Sequence, residues 1–152
     1  MKPRIYLDTS VIGGCEDEEF AFGSHRLIAE FHAGAMIAVI SDLMLQELAQ
    51  APASVQKIVE MFPAENVEEV FLTAEALALA RKYVGDRVVT PKHMVDAQHI
   101  AVASVERVDV LVSWNFKQIV NLGRIRAFNA VNLKLGYPML EIRSPREVSY
   151  EK

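Results

Sequence analysis

The chain is poor in cysteine and has no long apolar run. Its single cysteine, Cys15, cannot form an internal disulfide, and no Cys-x-x-Cys pair is present to bind zinc. The apolar runs are far shorter than the roughly 20 residues that span a bilayer, and the first residues lack the apolar stretch of a signal peptide. These absences argue against a disulfide-rich secreted protein and a membrane protein. We therefore expect a cytoplasmic protein with no membrane partner.

The sequence also lacks an excess of basic residues, with 16 Lys and Arg against 20 Asp and Glu and a net charge of −4. This balance argues against a protein that coats nucleic acid indiscriminately. The charge is uneven, because residues 1–111 carry a net −8 (9 basic, 17 acidic) and residues 112–152 a net +4 (7 basic, 3 acidic). The basic residues of the second part either face phosphates near an acidic site or lie on solvated helix faces. The basic residues to which these two interpretations apply are Lys117, Arg124, Arg126, Lys134, Arg143 and Arg146.

Length and hydrophobic content indicate one domain that covers residues 1–152. A chain of 152 residues with 51% hydrophobic content can bury a sizeable core without covalent staples. Apolar strands alternate with amphipathic helices, which predicts a central parallel sheet between two helical layers, a three-layer α/β/α sandwich. The predicted strands are 4–8, 36–40, 67–72, 110–113 and 139–142. The first predicted helix lies around 27–31 and stops at Gly34, and the second is capped by Ser41 or Asp42 and ends before Pro52. The other predicted helices are 54–61, 73–84, 91–106 and 124–135. Gly85 is the predicted stop of 73–84, and Gly136 that of 124–135.

Polar side chains follow the predicted strands at equivalent places. The first strand ends in a carboxylate and two hydroxyls, and acids or amides stand in the segments that follow later strands. In open α/β sheets, ligands bind beyond the carboxyl ends of the strands, so these side chains are predicted to converge on one site. They are Asp8, Thr9, Ser10, Glu47, Asp96, Ser113 and Asn115.

The three acids of this set, Asp8, Glu47 and Asp96, are the predicted ligands of a metal ion. Clustered carboxylates are costly unless a cation compensates them, and hard oxygen ligands suit Mg²⁺ or Mn²⁺. Such an ion activates water and holds a phosphodiester. The structural alternatives are a turn cap for Asp8 and a solvated helix position for Glu47.

Three other features have a structural and a functional interpretation. His93, Asp96 and His99 lie on one helical ridge, which is compatible with zinc, but we favour a core position in which His99 orients a neighbour. Asp109 precedes its strand and is interpreted as a turn residue. For Trp114 we favour packing over a role as a platform for base stacking.

The ordered set of clusters resembles the PIN-domain family, particularly the VapC-like toxins of toxin–antitoxin modules and their stand-alone relatives. The resemblance rests on Leu7-Asp8-Thr9-Ser10, on Glu47 in the second helix, and on Asp96-Ala97-Gln98-His99-Ile100-Ala101. It implies a metal-dependent ribonuclease with a parallel sheet between helices, commonly dimeric, and for the toxins a small antitoxin that inhibits it. Where the family commonly has a fourth acid, this chain has Ser113-Trp114-Asn115. Asn115 offers at most a neutral carbonyl oxygen, so a second metal position is left open.

The leading hypothesis is a Mg²⁺- or Mn²⁺-dependent endoribonuclease, the toxin of a type II toxin–antitoxin module, with Asp8, Glu47 and Asp96 on the metal and Asn115 as a further catalytic residue. Thr9, Ser10 and Ser113 are expected to bind substrate. The alternative is a catalytically weak PIN-like module that binds RNA or protein. A haloacid-dehalogenase-type phosphatase and a receiver domain are disfavoured, because the additional acid that each requires is missing here. A homodimer through helices near 53–61 and 74–83 is also expected.

Overall fold

A computed structural model describes residues 1–148. In this range the chain forms a five-stranded sheet in the order β3-β2-β1-β4-β5, and every neighbouring pair is parallel. The strands are β1 Arg4–Leu7, β2 Ile37–Ser41, β3 Val67–Val70, β4 Val110–Val112 and β5 Ile142–Arg143. β1 is central, so the residue that follows it enters the middle of the sheet edge. The predicted parallel sheet is confirmed.

Helices cover both faces of this sheet. They are α1 Thr9–Gly13, α2 Ala21–His32, α3 Asp42–Leu48, α4 Ala53–Glu60, α5 Ala74–Gly85, α6 Met94–Val105, α7 Leu122–Lys134 and α8 Pro145–Val148. Single 3₁₀ turns stand at Gly14–Glu16, Ala64–Asn66 and Pro91–His93. None of the helices within residues 1–148 is long and apolar enough to cross a membrane.

Alternation along β1 divides the core between the two faces of the sheet. Tyr6 belongs to the core formed with α5, α6 and α7, whereas Ile5 and Leu7 belong to the core formed with α1 to α4. All three side chains are at most 1% exposed. A strand buried on both faces reads as a continuous apolar run, which is why the sequence identified this one. The α/β/α sandwich is confirmed, while the single domain over 1–152 stays a prediction whose last four residues lie outside those described.

The predicted helix 91–106 is wrong at its start. Pro91 opens a separate 3₁₀ turn, and His93, with φ −109° and ψ 30°, interrupts the helical path before α6 begins at Met94. Thr90 is extended, as the residue before a proline tends to be. The break places Asp96 in the first turn of α6.

The predicted strand 139–142 is also wrong, since β5 covers only Ile142–Arg143. The Asn129 side chain forms two hydrogen bonds with the backbone of Leu140. Its Oδ1 accepts from the Leu140 N–H at 2.6 Å, and its Nδ2 donates to the Leu140 carbonyl at 3.1 Å. Leu140 therefore has its hydrogen bonds without joining the sheet ladder.

Two of the three predicted glycine stops are confirmed. Gly34 and Gly136 have φ values of +81° and +87°, the left-handed conformation that follows many helices. Gly85 instead is the last residue of α5, and the left-handed turn comes at Arg87, with φ 63°.

Candidate metal centre

Asp8 directly follows β1, in the middle of the carboxyl edge of the sheet. It is the N-cap of α1, with the Ser10 N–H donating to its Oδ1 at 2.5 Å. The Ser113 hydroxyl donates to its Oδ2 at 2.7 Å from the end of β4. Asp8 is only 4% exposed. The capping interpretation is therefore correct, and it also fixes the carboxylate at the predicted site, because hydrogen bonds to both oxygens restrict its orientation.

Glu47 reaches the same place from α3. Its Oε1 accepts hydrogen bonds from the Thr9 hydroxyl at 2.5 Å and from His99 Nε2 at 2.7 Å. Burial raises the pKa of this carboxyl, but the hydrogen bonds from His99 and Thr9 and the nearby His99 ring lower it by more, so the net pKa is below its ordinary value. Glu47 is thus held ionised and oriented.

His99 is the support of Glu47 rather than a zinc ligand. The ring is 2% exposed, and its Nδ1 lies 2.7 Å from the Tyr6 hydroxyl, so both ring nitrogens have protein partners. Tyr6 in turn lies 2.8 Å from the Ser41 hydroxyl, whose oxygen accepts from the Met44 N–H at 3.0 Å. Burial raises the pKa of Tyr6, which keeps the phenol neutral. The favoured interpretation of His99 is confirmed.

Asp96 enters the site from the first turn of α6. Burial and the charge of Asp8 raise the pKa of its carboxyl, while His99 and His93 partly oppose this effect. His93 Nδ1 lies 3.5 Å from Asp96 Oδ2. A carboxyl group whose ionisation is disfavoured by burial and by a neighbouring carboxylate is a feature of sites built for a cation.

Asn115 presents its amide nitrogen to the acids. Its Oδ1 accepts from the backbone N–H of Gln118 at 2.9 Å, and a backbone N–H can only donate, so this atom is the oxygen. Its Nδ2 then donates to Asp96 Oδ1 at 3.4 Å. The amide oxygen that the sequence offered to an ion is used as a turn cap, and the amide nitrogen donates a long hydrogen bond to Asp96 instead.

A cavity of about 150 Å³ joins these groups. It is lined by Asp8, Thr9, Ser10, Glu47, Asp96, His99 and Asn115. Every predicted site residue except Ser113 lines it. Ser113 is fully buried behind Asp8 and therefore positions that carboxylate without access to a substrate.

The residues present fit a hard divalent cation. Three carboxylates line one small cavity, and burial together with the charge of Asp8 raises the pKa of Asp96. Within residues 1–148, however, no three His, Cys, Asp or Glu side chains are already gathered as a metal-binding group. Mg²⁺ commonly takes one or two carboxylates and keeps several waters, so a cation in this cavity does not need all three acids as direct ligands.

The remaining predictions have clear structural outcomes. Asp109 Oδ2 accepts from the Arg4 N–H at 2.7 Å, at the opposite edge of the sheet, which confirms a turn role.

Trp114 is 4% exposed, stacks on Phe20 with ring centroids 4.4 Å apart and donates to the Ser24 hydroxyl at 2.8 Å. Its packing role is confirmed.

Most of the basic residues near the C-terminus bind other parts of the chain. Arg124 donates to the Val88 carbonyl, Lys134 pairs with Asp86 at 2.7 Å, Arg143 pairs with Glu141, and Arg146 lies over the Trp114 ring at 5.2 Å. Lys117 is exposed two residues after Asn115, and its ammonium has no partner within residues 1–148. Arg126 is likewise exposed without a partner in this range, so Lys117 and Arg126 are the two of these cations that internal contacts leave available.

Sequence reasoning missed Tyr6 and Ser41 as supports of the site. A signal was present, because a tyrosine in a strand buried on both faces needs a hydrogen-bond partner for its hydroxyl. The partner could not be deduced, since Ser41 and His99 lie 35 and 93 residues away along the chain.

Comparisons with known proteins identify the fold through structure alone. No protein-family model matches the chain, and no curated protein matches its sequence. A chain of the promoter-DNA-bound VapBC2 complex from Rickettsia felis aligns with a TM-score of 0.59 and 16% identity, over 93% of this chain and 98% of that one. A chain of DNA-bound VapBC from Salmonella typhimurium aligns with a TM-score of 0.54 and 19% identity, over 94% and 98%.

A third similar structure is VapC20 from Mycobacterium tuberculosis, described as a toxin that cleaves the sarcin–ricin loop. It aligns with a TM-score of 0.55 and 17% identity, over 70% of this chain and 86% of that one. The architecture of this protein is therefore that of a PIN domain. More narrowly, it is a VapC-like PIN-domain fold, as the sequence resemblance predicted.

Proposed function

We propose that this protein is a metal-dependent endoribonuclease. The observation that carries the proposal is the shared cavity of Asp8, Glu47 and Asp96, in which burial and the charge of Asp8 raise the pKa of Asp96. A site that disfavours its own negative charge is stabilised by a cation, and a cation beside an open cavity can act on a phosphodiester. The described activity of the similar VapC20, cleavage of the sarcin–ricin loop, supports RNA as the substrate class.

Each side chain has a role that follows from its contacts. Asp8 and Asp96 hold Mg²⁺ or Mn²⁺, and Glu47 adds an ionised carboxylate whose Oε1 is fixed by Thr9 and His99. When bound, the ion supplies a polarised phosphate and an activated water. Glu47 Oε2 accepts no hydrogen bond from residues 1–148 and remains available to a water. Asn115 completes the site as a donor toward Asp96.

The hydroxyls contribute unequally to substrate binding. Thr9 and Ser10 line the cavity and can meet a phosphate, although each also makes an internal hydrogen bond: Thr9 donates to Glu47, and Ser10 accepts from the Trp114 N–H at 2.9 Å. Lys117, exposed two residues after Asn115 in the chain, is a candidate positive charge for the phosphate backbone. Ser113 acts indirectly, because its hydroxyl donates to Asp8 and accepts from the Asn115 N–H at 2.9 Å.

The same comparisons support a toxin with an antitoxin partner. Two of the similar structures are VapBC complexes bound to DNA, and this chain covers 98% of the matched chain in each. We therefore propose that this protein is the toxin of a type II toxin–antitoxin module and that a small antitoxin binds it.

The test of the nuclease proposal is cleavage of RNA by the purified protein. A panel of single-stranded and structured RNAs, including a sarcin–ricin stem-loop, is incubated with Mg²⁺, with Mn²⁺ and with chelator. We expect defined cleavage products with either metal and none with chelator. Binding of RNA without cleavage under every metal condition would instead support the alternative, a catalytically weak binding module, for which Asn115 at the position of a common fourth acid is the structural reason.

A further inference from the structure

A second, larger cleft opens beside the acidic cavity. Its volume is about 430 Å³, within the roughly 300–1,000 Å³ typical of ligand sites. Ser10 and Asn115 line both the cleft and the acidic cavity, so the two spaces are contiguous at these residues. A polymer with its phosphate at the acids would place its neighbouring group in the cleft.

Gly13 lines the cleft, and a side chain at this position would enter open space. Gly13 is exposed and helical, with φ −60° and ψ −31°, so its backbone does not require glycine. A Cβ at Gly13 would meet no atom within 4 Å, so packing does not require glycine either. Glycine within a helix is less stable than alanine by roughly 1 kcal/mol. Neither backbone nor packing explains this residue, whereas an open cleft does.

Gly14 differs from Gly13 in this respect. A Cβ at Gly14 would lie 2.7 Å from Trp114 Nε1 and 2.8 Å from the Ser24 hydroxyl oxygen, so here packing does demand glycine. The two adjacent glycines therefore differ: neighbouring atoms occupy the space that a side chain at Gly14 would need, and no atom occupies it at Gly13.

The wall of the cleft is aromatic. Phe20 and Trp114 line it as a stacked pair with a 16° angle between their rings. Phe20 is half-buried, and Phe116, whose ring centroid lies 6.4 Å from that of Phe20, is 44% exposed. Trp114 itself is nearly covered, so the accessible ring within the cleft is that of Phe20, and Phe116 is a neighbouring exposed ring that does not line the cleft. Such surfaces stack on nucleobases with little preference for sequence.

The charge of the rim excludes phosphate from the cleft. Asp17 lines it, and Glu16, Glu18 and Glu19 are exposed beside it. An anion is therefore repelled. Asp17 Oδ1 already accepts from the Glu19 and Phe20 N–H groups, which leaves Oδ2 as the acceptor for the N–H groups of a neutral base. The Trp114 ring does not call for a cationic ligand, because the guanidinium carbon of Arg146 in the same chain already lies 5.2 Å from the ring centroid.

We propose that this cleft binds a nucleobase of the RNA strand, next to the phosphate held at the acidic cavity. This inference rests on the proposed function for the identity of the polymer. It assigns Gly13, Asp17 and Phe20 to substrate binding outside the acidic site, and it makes cleavage depend on the presence of a base beside the scissile phosphate.

Trp114 provides the readout, because it is the chain's only tryptophan and lines the cleft. Its emission is followed in metal-free protein during titration with nucleoside 5′-monophosphates, with ribose 5-phosphate and with arginine amide. The variant is Gly13→Leu, which fills the cleft, with Gly13→Ala as a smaller step. Gly85→Leu is the matched control, since Gly85 is also an exposed helical glycine with nothing within 4 Å of a Cβ, and it lines neither cavity.

We expect saturable quenching by the nucleotides and none by ribose 5-phosphate. Gly13→Leu should weaken nucleotide binding about tenfold or more, consistent with the loss of one stacked base, and Gly13→Ala should weaken it less. Gly85→Leu should match the wild type. Thermal melting verifies that each variant is folded, and leucine is a better helix former than glycine.

Three results would overturn the base site: equal quenching by ribose 5-phosphate, unchanged affinity in Gly13→Leu, or quenching by arginine amide alone, which would assign the cleft to a protein partner. RNA cleavage by the same preparations separates this inference from the proposed function. Cleavage without nucleotide binding contradicts the base site alone, and nucleotide binding without cleavage supports the base site while contradicting the nuclease.

Discussion

Two carboxyl groups of one cavity are driven in opposite directions by their surroundings. Hydrogen bonds from His99 and Thr9 lower the pKa of Glu47 despite its burial, whereas burial and Asp8 raise the pKa of Asp96. Because its pKa is lowered, ionised Glu47 stabilises the fold at pH values above 4.5, the ordinary pKa of the group. This stability is lost as the pH falls through the folded pKa. The pKa of Asp96 is raised, so its effect on stability has the opposite pH dependence. Its contribution to stability is present at pH values below 3.8, the ordinary pKa of the group, and is lost as the pH rises through the folded pKa.

Thr9→Val tests the first of these effects. The change keeps the shape of the side chain but removes the hydroxyl that donates to Glu47 at 2.5 Å, so we expect the pKa of Glu47 to rise in the metal-free protein. Carboxyl-carbon NMR titration measures the value directly. An unchanged Glu47 pKa would mean that the Thr9 contact does not stabilise the ionised carboxylate.

Asn115→Asp tests the role of the neutral amide. One carboxylate oxygen can keep the Gln118 cap, and the other would then face Asp96 Oδ1, where an amide nitrogen now donates at 3.4 Å. We expect lower thermal stability without metal and tighter Mn²⁺ binding, most strongly for a second, weaker ion. A charge about 4 Å away is worth on the order of 4 kcal/mol before desolvation and repulsion, from which about tenfold in affinity should remain. Calorimetric titration with equal affinities and stoichiometries would exclude position 115 from the metal environment.

At the element scale, α3 carries Glu47 and begins at the Ser41 cap. The Ser41 hydroxyl both accepts from the Met44 N–H and contacts the Tyr6 hydroxyl, which reaches His99 and so Glu47. The start of the helix and the orientation of its acid therefore depend on one serine. This connection ties a structural cap to the site.

Ser41→Ala, compared with Thr73→Ala, separates the two roles of this serine. Thr73 caps α5 in the same way, with its hydroxyl accepting from the Ala76 N–H at 3.2 Å, but it does not contact the site. Each substitution should lower the free energy of unfolding by about 1 kcal/mol. Only Ser41→Ala should also reduce the rate of metal-dependent RNA cleavage. Equal rates for both variants in a cleavage assay at saturating Mn²⁺ would show that the Tyr6 contact does not serve the site.

Elements with a clear period or cap could be predicted, and those decided by tertiary contacts could not. Ser41 or Asp42 was predicted to cap α3 from residue type and position, and Ser41 is the residue that does so. The short helix α1 was missed because Thr9, Val11 and Ile12 are β-branched and favour strands, while the Asp8 cap and burial in the core impose a helix. The extent of β5 was missed because a side chain 11 residues away, Asn129, takes the backbone of Leu140.

The same division applies to the candidate site. The rule for carboxyl ends of parallel strands was enough to bring Asp8, Glu47 and Asp96 to one cavity. The orientation of the Asn115 amide depends on a loop hydrogen bond to Gln118, which no sequence pattern encodes. The exclusion of Ser113 from the cavity depends likewise on its burial.

At the scale of the whole molecule, we predict a homodimer through the surface near α4 and α5. The support lies on the α4 side of this surface: Met61, at the end of α4, is 70% exposed, and Leu45 of α3, which is 36% exposed, lines a groove of about 160 Å³ between α3 and α4. Light scattering at tens of micromolar should give twice the monomer mass of 17.0 kDa. Met61→Glu should shift the protein toward the monomer, and Leu133→Glu, at a residue that is 58% exposed on α7, should not. A wild-type monomer under these conditions would contradict the prediction.

The most direct test of the central claim is the rate of Mn²⁺-dependent RNA cleavage by Asp8→Asn and Asp96→Asn, with Asp86→Asn as the control. Asp86 forms a surface pair with Lys134 and does not line the cavity. Loss of a metal ligand should reduce the rate by more than the roughly 10–100-fold that loss of an outer partner costs. Without metal, the melting temperature of Asp96→Asn should equal or exceed that of the wild type, because repulsion by Asp8 is relieved. If Asp8→Asn or Asp96→Asn cleaves RNA as fast as Asp86→Asn, the acidic cavity is not the metal centre.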